Sequence, residues 1–107
     1  MFVKNSETEK TSAGVGAVRK LLGRGGTLTM AEVTFEKDAI GEMHSHEHEQ
    51  VCYIVQGRFE FNLDGDIRLL QKGDSVYVPS NTQHGVKALD DQSIILDVFT
   101  PQREDFY

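Results

Sequence analysis

A chain of 107 residues has room for one folded domain with its own core, but not for a catalytic domain plus a separate recognition domain. Its formal net charge of -6, with no Lys/Arg cluster, lacks the electrostatic footprint of a phosphate-backbone binder and argues against nucleic acid as a partner. No apolar run reaches the length of a membrane span, the polar, acidic start Met1 to Lys10 is unlike a secretory signal, and Cys52 is the only cysteine. These features predict a cytoplasmic protein without an intrachain disulfide.

In chain order, the polar stretch Ser6 to Ser12 is expected to be a loop or frayed end, with residues 1–14 flexible or at an edge. Ala17 to Leu22 is too short to settle its period and is taken as an edge strand. Strands are predicted at Thr27 to Glu36, Gln50 to Val55, Ser75 to Val78, His84 to Ala88 and Ser93 to Phe99, with breaks at Gly41, Gly57, Lys72-Gly73 and Asp90-Asp91. Phe59, Phe61 and Leu63 alternate with Arg58, Glu60 and Asn62 before Asp64-Gly65, a hairpin turn signal, and Ile67 to Leu70 returns. No window sustains helical periodicity, so the chain is all-β, a sandwich or closed barrel over about residues 27–100.

His44, His46 and His48 recur at alternate positions, which places them on one face of an extended segment. Imidazoles clustered in this way suit a transition-metal ion, and His84 is the distant histidine available to complete the set. The competing account is a solvated His/Glu/Ser-rich loop. If Gln50 points inward, Cys52 and Ile54 follow it, and Val51, Tyr53 and Val55 take the opposite face. Cys52 is then a packed thiol lining the lumen and carries no mechanism.

Gly41, His44-Ser45-His46, Gln50 and Gly57 resemble the first motif of the cupin superfamily, and Gly73, Pro79 and His84 match the second. The resemblance implies a cupin double-stranded β-helix, or jelly-roll barrel, holding one divalent transition metal ion (Ni, Zn, Mn or Fe) through His44, His46, Gln50 and His84. Gln50 stands where many cupins carry glutamate. Its neutral amide leaves the ion its full charge, which favours anionic ligands. Asn81 replaces the usual glycine of the second motif and tolerates the same left-handed turn. His48 and Glu49 are extra to the motif and are expected beside the ligands or at the rim.

In the last strand Ile94, Leu96 and Val98 share one face and Ile95, Asp97 and Phe99 the other. A carboxylate in an apolar strand sits at an exposed rim, pairs with a cation or lines a polar pocket. The ending Asp97-Val98-Phe99-Thr100-Pro101-Gln102-Arg103-Glu104-Asp105-Phe106 resembles that of the small pectin-degradation cupins, uronate lyases that linearise 4,5-unsaturated sugar acids. The resemblance implies an anionic sugar substrate, homodimers, a metal polarising the ring oxygen, Asp97 transferring a proton, Arg103 binding the substrate carboxylate and Phe99 shaping the pocket. Exposed outer faces such as Val51, Tyr53 and Val55 also favour a dimer.

Asp64-Gly65-Asp66 lacks the further ligands of a calcium loop, Gly14-Val15-Gly16 lacks the strand and third glycine of a dinucleotide fingerprint, and no nucleophile elbow occurs. Two other functions fit the residues. An iron-dependent dioxygenase would consume oxygen, and a non-catalytic sugar-acid or metal-binding module would bind its ligand without converting it.

Overall fold

Residues 1–107 are described by a computed structural model in which the alternating segments become ten strands. In chain order they are β1 (Lys10–Ser12), β2 (Ala17–Gly25), β3 (Leu28–Phe35), β4 (Ile40–His44), β5 (Glu49–Gln56), β6 (Arg58–Leu63), β7 (Asp66–Gln71), β8 (Ser75–Val78), β9 (His84–Ala88) and β10 (Ser93–Thr100). Short 3-10 turns occupy Asn5–Glu7 and Glu104–Phe106. All pairings are antiparallel, in a sheet of order β1-β2-β3-β10-β5-β8 and a second of order β4-β9-β6-β7. This is the expected jelly-roll barrel.

The core lies between the sheets. Phe35, Ile54, Phe59, Phe61, Val78 and Ile95 form its centre, with Phe35 and Phe59 edge to face at 5.3 Å between ring centroids. Burying each such side chain is worth about 1.5–3 kcal/mol. The β6–β7 hairpin turns at Asp64 and Gly65, whose φ values of 50° and 90° are those of a type I′ turn. Gly57 has φ of 77°, and a Cβ there would meet Ser93 Oγ at 2.1 Å, so the β5–β6 corner admits only glycine.

Three expectations are corrected. Ser6 to Ser12 is not simply a loop: after the 3-10 turn, β1 pairs with β2 as the sheet edge, and Lys20 Nζ donates to Asn5 O at 2.9 Å and Asn5 Oδ1 at 2.7 Å. Consequently β2 lies inside the sheet between β1 and β3, where the sequence suggested an edge strand. β4 was absent from the expected strands because Gly41 interrupts its apolar signal. It pairs with β9, and the register shift between Gly41 and His44 brings His44 opposite His84.

Candidate metal centre and cavity

His44 ends β4, and the chain then leaves the strand, so the histidines do not lie along one extended face as their spacing suggested. His46 sits in the loop that follows, and its carbonyl accepts a 2.7 Å hydrogen bond from the backbone N–H of Asn81. Asn81 has the anticipated left-handed backbone, φ of 60°. His84 opens β9. The ring centroids of His44 and His84 are 4.3 Å apart, and those of His46 and His84 5.0 Å. One ligating atom from each of His44, His46 and His84 falls within 4.8 Å of the others.

Backbone carbonyls set the tautomers. Nδ1 of His44 donates to Glu42 O at 2.8 Å, that of His46 to His48 O at 2.8 Å, and that of His84 to Thr82 O at 2.9 Å. A carbonyl can only accept, so the proton sits on Nδ1 and each Nε2 keeps its lone pair. Burial lowers the pKa of His46 and brings that of His84 down to about 4, which favours the neutral, ligating form.

Gln50, buried on β5, faces this cluster. Its Nε2 donates to Cys52 Sγ at 3.0 Å and Asp97 Oδ1 at 3.3 Å, leaving Oε1 without a hydrogen-bond partner. Nε2 of His46 and of His84 are likewise buried and unpartnered. Buried polar atoms are rarely left unsatisfied, and three of them in one donor cluster fit a divalent transition-metal ion.

His48 does not join the cluster. Its Nε2 donates to Gln102 O at 3.2 Å, tying the loop to the C-terminal segment, while Glu49 accepts from Tyr77 Oη at 2.5 Å on the outer face. Both stand outside the cluster of His44, His46 and His84. Cys52 and Ile54 point inward with Gln50, and Val51 and Tyr53 outward. Burial pushes the Cys52 thiol well above its ordinary value, in keeping with an inert packed side chain.

His44, His84 and Gln50 open onto a cavity of about 640 Å³, within the range of small-molecule sites. Asp97, Phe99 and Arg103 all line it, so the strand-face assignment for β10 is correct. Asp97 is half-buried in the cavity wall beside Cys52 and Gln50. Burial raises its pKa to about 6, opposed by the Cys52 hydrogen bond and the charge of Arg103. The Phe99 ring packs on His46 at 5.9 Å and Phe106 at 5.7 Å. After cis-Pro101 the chain turns back over the barrel, where Arg103 N donates to the buried Thr29 Oγ1 at 3.0 Å. The Arg103 guanidinium, only 12% exposed, stands over Phe99 and Phe106 and grips Asp105 through Nε at 2.9 Å and Nη2 at 2.7 Å. That pairing holds the Asp105 carboxyl down to about 2.

One cavity residue escaped the sequence reading. Arg19, on β2, is half-buried, lines the cavity and stacks its guanidinium on Phe106 at 3.8 Å. The signal was available: Arg19 shares a strand face with Ala17 and Leu21, a charge on the inward face of a strand, as Asp97 is in β10.

Known proteins place this geometry. The Cupin domain family model matches residues 31–99, which contain the three histidines, Gln50, Asp97 and Phe99. The chain is a cupin. It is 38% identical over 103 residues, 95% of this chain and 94% of the relative, to the pectin degradation protein KdgF of Dickeya dadantii. It superposes on KdgF from Halomonas sp. with a TM-score of 0.96 at 37% identity, covering 100% of this chain and 98% of that one. An RmlC-like cupin from Shewanella frigidimarina gives a TM-score of 0.93 at 40% identity, covering 99% and 95% respectively. These likenesses place it among the KdgF-like cupins. Oxalate decarboxylase of Bacillus subtilis, at 23% identity and a TM-score of 0.79, shares the fold alone.

Proposed function

We propose that this cupin is an enzyme that opens the ring of 4,5-unsaturated uronate monosaccharides, products of pectin or alginate breakdown, to the linear keto form. The observation that carries the reading is a carboxyl group, Asp97, held in the cavity wall against Gln50, the fourth donor beside His44, His46 and His84. The names of its KdgF relatives, one of them a pectin degradation protein, point the same way.

The reaction is an isomerisation. The bond from the anomeric carbon to the ring oxygen breaks, the anomeric hydroxyl gives up its proton to form the aldehyde, and C4 gains a proton as the enol becomes the ketone. His44, His46, His84 and Gln50 would hold a divalent ion, which when bound would supply Lewis acidity toward the substrate's oxygens. Asp97 carries the proton between the anomeric hydroxyl and C4. Arg103 adds positive charge for the substrate carboxylate, with Nε and Nη2 already committed to Asp105, and Phe99 forms a wall of the pocket. Gln50 keeps the donor set neutral, which suits an anionic substrate.

The deciding experiment incubates metal-loaded protein with a 4,5-unsaturated uronate monomer and follows the alkene signal by NMR, beside the spontaneous reaction and a His84→Ala control. Acceleration that vanishes in the control establishes the reading. No acceleration with any divalent metal overturns it; oxygen uptake would then favour a dioxygenase, and binding without conversion a sugar-acid module. No helix of the chain is long and apolar enough to cross a membrane. The proposal places the reaction in the cytoplasm, in keeping with the single free thiol of Cys52, and in a homodimer.

A further inference from the structure

The cavity holds two guanidinium groups, and they differ in what they are bonded to. Arg103 spends two of its nitrogens on Asp105. The Arg19 side chain makes no hydrogen bond or ion pair with the protein, and its Nε is buried without a partner. The carboxylates near it are engaged elsewhere: Asp105 gives both oxygens to Arg103, and Asp97 is turned toward Gln50 and Cys52. Its other charged neighbour, Arg103, repels it, and burial together with that repulsion lowers the Arg19 pKa.

A guanidinium half withdrawn from water, with its Nε buried and unpaired, carries a desolvation cost that no hydrogen bond or ion pair within the protein offsets. Stacking on Phe106 offsets part of that cost and fixes the plane of the guanidinium. Packing alone does not account for the choice, since a leucine or methionine would cover Phe106 with no charge to desolvate. What a fixed, unpaired guanidinium on a cavity wall lacks is a planar anion, and its geometry suits a bidentate carboxylate.

We propose that Arg19 is the carboxylate anchor of the cavity: it takes the sugar-acid carboxylate through its free N–H edge, while Arg103, braced by Asp105 and stacked on the same Phe106 ring, adds charge from the side. The inference rests on reading the cavity as a site for an anionic sugar, and it names the residue that selects the acid.

The test compares metal-loaded wild type, Arg19→Met and Arg19→Lys for binding of a saturated uronic acid monomer and of its methyl ester by NMR titration, and for turnover of the unsaturated acid. Melting temperature and metal content serve as folding controls. Wild type should bind the acid at least tenfold more tightly than the ester. In Arg19→Met that preference should collapse through loss of acid binding alone, with KM raised at least tenfold and kcat changed less than threefold. Arg19→Lys, which keeps the charge without the fork, should restore part of the preference, and it decides the matter if Arg19→Met does not fold.

An acid-over-ester preference undiminished in Arg19→Met, or undiminished in Arg19→Lys where Arg19→Met does not fold, overturns the inference, as does a wild type that binds no uronate. Arg19-dependent binding without turnover upholds the anchor and overturns the lyase reading. Turnover untouched by either variant upholds the lyase and overturns the anchor.

Discussion

Gln50 donates its side-chain amide to Asp97, Nε2 to Oδ1 at 3.3 Å, and this bond determines which end of the amide faces the histidines. With the NH2 group held between Asp97 and Cys52, the oxygen is left toward the cluster as a donor. One hydrogen bond thus couples the group proposed to move protons to a group proposed to hold the ion.

Replacing Asp97 with Asn separates these roles. The Asn oxygen can still accept from Gln50, so folding and metal content should be preserved while the proton carrier is lost. Turnover in the alkene NMR assay should fall by about 10²–10⁴-fold, the usual contribution of a positioned acid–base group. A fully active variant would remove Asp97 from the mechanism.

Gln50→Glu tests the neutral donor. The change removes both N–H bonds and sets a second carboxylate against Asp97, which destabilises the metal-free barrel through like-charge repulsion. It also supplies a stronger, anionic donor to a divalent ion. Thermal melts should show a lower melting temperature in EDTA and a larger rise on adding metal than wild type shows. An unchanged melting temperature in EDTA would mean that the Gln50–Asp97 contact contributes nothing to folding.

Metal linkage is directly measurable. At a free metal concentration 100-fold above its dissociation constant, the folded state gains about 2.7 kcal/mol. His84→Ala removes a donor from the cluster and should lose most of that gain, so its melting temperature should respond little to zinc, nickel, manganese or EDTA. An undiminished response would place the ion elsewhere.

Cys52 is 2% exposed, and its thiol is held in the protonated form by burial. It should resist a thiol reagent such as iodoacetamide in the native protein near neutral pH and react once denaturant is added. Rapid native labelling would contradict the closed packing around β5.

The outer face of β5 and β8 exposes Val51, Tyr53 and Tyr77, at 46%, 44% and 52% of their surface. If the proposed homodimer uses this face, Tyr53→Lys should shift the sedimentation coefficient toward that of a monomer without lowering the melting temperature of the barrel. A dimer unaffected by the change would have its interface on another surface.

Much of this protein is legible from local pattern. Period-two alternation, Asp64-Gly65 and the glycine breaks specify an all-β chain because strand faces and turns depend on neighbouring residues. The inward set Gln50, Cys52, Ile54 and the face shared by Ile95, Asp97 and Phe99 follow from the same rule. His44, His46 and His84 were identified as candidate ligands from their residue type and from the match to cupin motifs.

What tertiary structure alone decided depends on register and on bonds between distant residues. β2 became an inner strand because β1 pairs outside it, a long-range choice that a short polar segment does not announce. His48 parted from its neighbours because the chain leaves β4 at His44 and the Gln102 carbonyl captures its ring. The availability of Nε2 rests on three backbone carbonyls, and the unpaired state of Arg19 on Asp105 having gone to Arg103. Composition and alternation choose the barrel and its inward residues; only the closed fold determines which of them remain free to bind.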